Sequence, residues 1–451
     1  MELDDFLRNS LLDANENSAK LREDILNLVK KYSVITHSRK PFCPGKSIVP
    51  VAGKVFDEND LQMLVSSSLD FWLTSGRFNS EFERVLGKKL NSNFVITVNS
   101  GSSANLLALS ALTSDQLGER RLLPNDEVIT LAAGFPTTVN PIIQNNLVPV
   151  FIDVDIPTYV PNYKLVEDAI SDKTRAIMLT HTLGNPFDAE KISKLAKDHN
   201  LWLIEDCCDA LGSLFAGKSV GTFGNLGTLS FYPAHHITMG EGGAVFTDDP
   251  KLKRILESFR DWGRDCFCAP GHNNTCGKRF EWKIGEMPYG YDHKFIYSHL
   301  GYNFKITDMQ ASVGLAQLNN LEHFIQTRKN NFSYLKKGLK QFEDNLILPE
   351  STPNSDPSWF GFTITIKENL SYTKKDLIEF LSSKLIDTRP LFAGNITKQP
   401  YFKNIKYRIN GSLRNTEMIT SNSFWIGVYP GLTKEMLDYV IQTFDLFFNK
   451  K

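Results

Sequence analysis

The sequence predicts an α/β protein with a large, mostly parallel sheet flanked by helices and a smaller α/β unit behind it. Three observations carry this expectation. Seven short runs rich in β-branched and apolar residues, FVITVNS, EVITLAA, VPVFIDVD, RAIMLTHT, LWLIED, TLSFYP and GGAVFTD, follow one another from about Phe94 with amphipathic stretches between several of them. A length of 451 residues is more than one small core organises. After Gly301 the texture changes to a long helical run, and then to segments punctuated by proline.

Taken in order, residues 1–45 read as a helical N-terminal extension, with Leu21, Ile25, Leu28, Val29 and Tyr32 on one face as for a docking helix. Pro41, Pro44 and Gly45 end it. Residues 46–300 hold the seven runs and read as the large domain. In such a sheet, ligands sit beyond the carboxyl ends of the strands. Residues 301–451 read as the small domain, opened by a helix from Thr307 to about Phe342 with Met309, Val313, Leu315 and Leu318 among its apolar positions. Pro349, Pro353 and Pro357 then lead into the closing α/β unit.

Composition excludes several classes of function. Hydrophobic residues at 41% and charged residues at 22% are ordinary for a globular chain. A net charge of -1 gives no electrostatic reason for a nucleic-acid or anionic-membrane partner. No apolar run approaches the ~18–20 residues a membrane span needs. Asp4 and Asp5 stand where a signal peptide would carry positive charge, so the expected location is the cytoplasm. Six cysteines are too few for a disulfide scaffold, and a reducing compartment keeps them as thiols.

The chemistry concentrates in a few stretches. Asn99-Ser-Gly-Ser-Ser-Ala-Asn105 follows a strand and opens a helix, where free backbone N–H groups suit either a phosphate or a simple cap. Glu205-Asp206 ends the run LWLIED, as a surface carboxylate or as part of a site. Phe135, in Gly-Phe-Pro-Thr-Thr, reads as core or as a stacking aromatic. Gly227 to Thr247, GTLSFYPAHHITMGEGGAVFT, reads as strand, turn and Gly-rich loop carrying His235 and His236. An imidazole with its usual pKa of ~6.5 suits proton transfer at neutral pH. The cysteines after Cys208 fall at C-x57-C-x-C-x7-C, namely Cys208, Cys266, Cys268 and Cys276. Four thiolates hold either an iron–sulfur cluster or zinc, and spacing alone favours zinc because neither usual ferredoxin pattern applies. Cys207 is the alternative first ligand.

This loop resembles the S-F-x-x-x-K segment of the DegT/DnrJ family of pyridoxal-phosphate sugar aminotransferases, whose lysine binds the cofactor covalently. Here that position is His235, and an imidazole cannot replace the amine. The histidine, together with the cysteine spacing, resembles the CDP-4-keto-6-deoxy-D-glucose 3-dehydrase family, a [2Fe-2S] branch of these enzymes. Thr388–Asn395 and Phe424–Pro430 extend the likeness into the C-terminal part. The resemblance implies the fold-type-I, aspartate-aminotransferase-like architecture and a homodimer. Pyridoxamine 5′-phosphate would be held by Gly101, Ser102 and Ser230 at its phosphate, by Asp206 at its ring nitrogen, by Phe135 against its ring, and by Asn303 reaching over from the partner subunit. His235 would move the proton and Tyr232 and Asp209 would tune it. Asp209 stands where the family usually has glutamine. Cys208, Cys266, Cys268 and Cys276 would bind the cluster. The implied reaction removes the 3-hydroxyl of a nucleotide-linked 4-keto-6-deoxyhexose, with electrons from an NADH-dependent flavin/iron–sulfur reductase. The rival expectations are a sugar aminotransferase using another lysine, for which Lys218 lies too far upstream, and a zinc-stabilised interaction protein with no catalysis.

Overall fold

The computed structural model describes residues 16–449 except Arg39 and Ala269. All seven runs form strands: β1 (Phe94–Val98), β2 (Glu127–Leu131), β3 (Val148–Ile152), β4 (Thr174–Thr180), β5 (Trp202–Asp206), β6 (Leu226–Ser230) and β7 (Gly243–Thr247). With β11 (Arg408–Ile409) they make one sheet of eight strands in the order β1-β7-β6-β5-β4-β2-β3-β11. Its centre is parallel, and β7 runs antiparallel to both neighbours. Side chains alternate across it, so Ile129, Ile177 and Leu203 pack into one core while Val128, Met178 and Ile204 pack into another on the opposite face. Burial on both faces is why these runs are continuously apolar.

The smaller sheet, β8 (Leu346–Ile347), β9 (Gly361–Ile366), β10 (Arg389–Pro390) and β12 (Ser423–Gly427), has the antiparallel order β8-β9-β12-β10. It shares a core with the C-terminal helix Lys434–Phe448. Residues after 301 are not confined to this unit, since Arg408–Ile409 returns to the edge of the large sheet through Glu127, whose carboxylate holds the Arg408 guanidinium at 2.7 Å. The long helix runs Asp308–Leu339, capped by Thr307 with Gln310 in a reciprocal box.

The N-terminal helix, α1 (Glu16–Thr36), docks differently from its apolar pattern. Arg22 pairs with Asp70 at 2.8 Å and donates to the Ser66 hydroxyl at 2.7 Å, turning Leu26 and Ser33 inward. Of the predicted face, Leu21, Ile25, Leu28 and Tyr32 are left facing outward and Val29 is half-buried. The polar anchor, not the apolar stripe, sets the helix's rotation. The part of the predicted extension before residue 16 lies outside the described residues. Among the described residues, no helix is long and apolar enough to cross a membrane.

Candidate active site

A cavity of about 250 Å³ opens beyond the carboxyl ends of β5 and β6. Gly101, Ser102, Phe135, Asp206, Cys208, Asp209, Ser230, Tyr232 and His235 all line it, so nine of the residues singled out in the sequence converge there. Four elements bring them. The helix Gly101–Ala111 starts immediately after β1, with the Ser100 hydroxyl already capping the Ser103 N–H, so its first free N–H groups face the cavity. A side chain at Gly101 would place its Cβ 2.4 Å from the Ser230 Cβ and 3.1 Å from the Cys208 Sγ. Only glycine leaves this cradle open.

The Asp206 carboxylate is buried and fixed. Its Oδ2 accepts from Thr138 Oγ1 at 2.6 Å and from Asn105 Nδ2 at 2.8 Å, and its Oδ1 from the Cys208 N–H at 3.1 Å. Asn105 is itself oriented by the Thr228 hydroxyl at 2.6 Å. Glu205 points the other way, where it accepts from the backbone N–H groups of Gly221, Phe223 and Gly224 and is purely structural. Cys207 likewise turns into the core, beside Phe246 and Gly221, which removes it as a pocket thiol. Burial and the neighbouring Asp206 push the Cys208 thiol well above the usual range.

His235 stacks on Phe360 with ring centroids 5.1 Å apart, and its side chain is 15% exposed. Nδ1 lies 3.5 Å from Asp209 Oδ1 and has no hydrogen-bond partner. Burial first, and then the Arg328 guanidinium, push the imidazole down to about 4. Burial and the charge of Asp206 push Asp209 up to about 8. His236 faces away, with Nε2 2.8 Å from the Ser358 carbonyl, as a core histidine does. The Tyr232 ring lies 6.5 Å from that of His235 and is half exposed at the mouth, like Phe135. Asn303 does not line this cavity. It is exposed and accepts from Lys305 Nζ at 2.6 Å.

A fixed carboxylate deep in the site, a glycine cradle at a helix start, exposed aromatic faces and a partnerless imidazole nitrogen fit a phosphorylated pyridine cofactor. No lysine among the described residues lines the cavity. The predicted metal set does not fit within one chain. Cys208 is in the cofactor cavity, whereas Cys266 and Cys268 line another of about 760 Å³ with Trp72, Arg254 and Arg264. Among the described residues, no three His, Cys, Asp or Glu side chains converge on a metal position. The loop cysteines are held by local contacts instead, with Cys268 Sγ 3.1 Å from Thr275 Oγ1 and Cys276 Sγ accepting from the Lys278 N–H at 3.4 Å.

The profile of the DegT/DnrJ/EryC1/StrS aminotransferase family matches residues 55–445. The chain belongs to this family. Within it, the chain is 60% identical over 428 residues to the lipopolysaccharide biosynthesis protein RfbH of Salmonella typhimurium, covering 95% of this chain and 98% of that one. It is 50% identical over 441 residues to a dTDP-4-dehydro-2,6-dideoxy-D-glucose 3-dehydratase of Saccharopolyspora spinosa, covering 97% and 94%. A crystal structure of E. coli GDP-4-keto-6-deoxy-D-mannose-3-dehydratase with bound hydrated PLP superposes with a TM-score of 0.78 at 29% identity, covering 88% of this chain and 98% of that one. The mostly parallel sheet expected from the βα alternation and the aminotransferase-like architecture implied by the resemblance are both the fold found.

Asn105, Thr138, Arg328 and Phe360 complete the site without having been singled out. Two carried a readable signal: Asn105 follows Gly101 at i+4 on the same helical face, and Arg328 is a charge within the buried stripe Leu321, Ile325, Phe332 and Leu335.

Proposed function

We propose that this DegT/DnrJ protein is a pyridoxamine-phosphate-dependent 3-dehydratase of a nucleotide-linked 4-keto-6-deoxyhexose, CDP-linked by resemblance, acting as a cytoplasmic homodimer in the synthesis of 3,6-dideoxyhexoses for lipopolysaccharide O-antigen. The observation that carries the reading is His235 in a cavity lined, among the described residues, by no lysine. The curated relatives support it, since one is named a lipopolysaccharide biosynthesis protein and another a 3-dehydratase of a dTDP-linked keto sugar.

When bound, pyridoxamine 5′-phosphate supplies an amine for the C4 ketone and a ring that accepts electrons. Gly101, Ser102 and Ser230 would bind its phosphate, and Asp206, immobilised by Asn105 and Thr138, would hold a proton on the ring nitrogen. Phe135 would stack on its ring, and Tyr232, half exposed at the mouth, would tune His235. His235, kept unprotonated by burial and Arg328, would serve as the base that moves the proton needed for loss of the sugar's C3 hydroxyl. The family resemblance, not the spacing alone, assigns Cys208, Cys266, Cys268 and Cys276 to a [2Fe-2S] cluster and the electrons for deoxygenation to an NADH-dependent flavin/iron–sulfur reductase, although these four thiols do not converge among the described residues of one chain.

The test incubates the protein and pyridoxamine 5′-phosphate with CDP- and dTDP-4-keto-6-deoxyglucose in ¹⁸O-labelled water, without reductant. The 3-oxygen of one substrate should exchange with solvent, and His235→Asn should abolish the exchange. A 4-amino sugar formed without exchange would make the protein an aminotransferase and overturn the reading.

A further inference from the structure

A second, much smaller cavity lies behind His235. It measures about 10 Å³, near the lower end of the roughly 10–15 Å³ that one water molecule needs, and is lined by Arg328, Gln317 and Thr238 together with His235 and His236. Among the described residues, only His235 lines both this cavity and the cofactor cavity. On the far side, Lys54 and Val55 also line an outer cavity of about 640 Å³ with the exposed Lys40 and Glu435, so the small cavity adjoins the surface there.

Three side chains on the small cavity each carry a buried nitrogen with no hydrogen-bond partner: Arg328 Nε, His235 Nδ1 and His236 Nδ1. Their surroundings fix what each can do. Arg328 donates through Nη1 to the Trp359 carbonyl and through Nη2 to the His235 carbonyl, and its Nε can only donate. His236 Nε2 lies 2.8 Å from the Ser358 carbonyl, which only accepts, so that nitrogen carries the proton. Burial first, and then Arg328, push the His236 ring well below the usual imidazole value, and its Nδ1 is left a bare acceptor. At His235 Nδ1, the nearest carboxylate oxygen is Asp209 Oδ1 at 3.5 Å, beyond hydrogen-bond length. Thr238 and Gln317 are engaged elsewhere, Thr238 Oγ1 accepting from the Gly240 N–H at 3.0 Å and Gln317 Nε2 donating to Asp60 at 2.8 Å. Three unmet polar groups on one buried cavity point to one shared partner.

We infer that this cavity binds one water molecule, which accepts from Arg328 Nε–H and His235 Nδ1–H and donates to His236 Nδ1, and that through it His236 is a positioning residue for His235. Water fits because it accepts twice and donates at once, in a space that no larger molecule enters. With its proton drawn to Nδ1, a neutral His235 keeps Nε2 bare, which is the form a general base needs. The use of that base rests on the proposed function, whereas the water site and the tautomer rest on the three nitrogens alone. The side at Lys54 and Val55 gives the water an approach from solvent away from the cofactor.

The test reads the tautomer in the protein without cofactor. With ¹⁵N-labelled histidine, protonated and bare ring nitrogens resonate far apart, and the signals lost in His235→Asn identify that residue. His235 should carry its proton on Nδ1 at neutral pH. His236→Phe removes the acceptor and should return about half or more of His235 to the Nε2–H form, whereas His236→Asn, whose amide oxygen stands near the place of Nδ1, should restore the wild-type tautomer. A crystal structure should show the water about 2.7–3.2 Å from Arg328 Nε and His236 Nδ1. In the ¹⁸O exchange assay, His236→Phe should lower kcat about tenfold or more with KM little changed, and His236→Asn should regain most of it. A wild-type His235 protonated on Nε2, a tautomer indifferent to His236→Phe, or a cavity without ordered water overturns the inference whatever the chain catalyses. Should His236→Phe fail to fold, the wild-type tautomer and the crystal water decide alone. The expected tautomer and water in a protein that exchanges no oxygen would uphold the inference and overturn the proposed function instead.

Discussion

Two charges pull on the proton affinity of His235 in opposite directions, Arg328 lowering it and Asp206 raising it, while burial adds the largest downward push. Arg328 is fully buried and donates to the carbonyls of His235 and Trp359 at 3.1 and 3.3 Å, so it fixes the loop's backbone as well as its electrostatics. The base should therefore stay unprotonated down to about pH 4, and the acid limb of kcat/KM should lie well below the usual imidazole value. In Arg328→Met the nearby positive charge is gone, so the histidine's pKa rises and the acid limb moves to higher pH. A limb that stays in place would show that Arg328 acts only by positioning. The pH dependence of solvent ¹⁸O exchange measures both. The sequence disclosed the histidine because a lysine was expected at 235. It disclosed neither the depth of burial nor the guanidinium 93 residues away in sequence, because long-range proximity leaves no local pattern.

Among the elements, the strands were the most legible, because burial on both faces requires unbroken β-branched runs whatever lies beside them. Helix rotation was less legible. The stripe Leu21, Ile25, Leu28, Val29 and Tyr32 predicted the docked face, but beside the Arg22–Asp70 ion pair all of it except the half-buried Val29 faces outward, and such a pair depends on a residue in another helix. Asp308 makes the same point. It opens its own helix, yet its carboxylate accepts from the backbone N–H groups of Gly76, Phe78 and Asn79, capping the helix Arg77–Leu90, whose own N-cap, Gly76, has no side chain to do so. Asp308→Ala orphans three N–H groups at once and should cost ~1–3 kcal/mol of stability, read as a lower urea midpoint with an unchanged slope. A midpoint equal to wild type would mean that water satisfies that helix end as well as the carboxylate does.

For the whole molecule, the homodimer of the proposed function offers the exposed apolar side chains of the 262–300 loop a partner to cover them. Leu300→Asp removes one that a partner would bury. Burial of a leucine is worth ~1.5–3 kcal/mol, so the dimer dissociation constant should rise at least ~10-fold, measured by sedimentation over a concentration series. An unchanged constant would place Leu300 outside the interface. Which apolar side chains stay exposed was the least legible property of all, since a sequence records which residues are apolar but not which the fold leaves uncovered. A cavity lined by no lysine has one more consequence on the proposed function, which concerns supply. An imine tether slows the loss of a coenzyme, whereas one held by contacts alone exchanges like a co-substrate, its occupancy following its free concentration. A cell short of vitamin B6 would idle this protein before any family member that keeps the lysine.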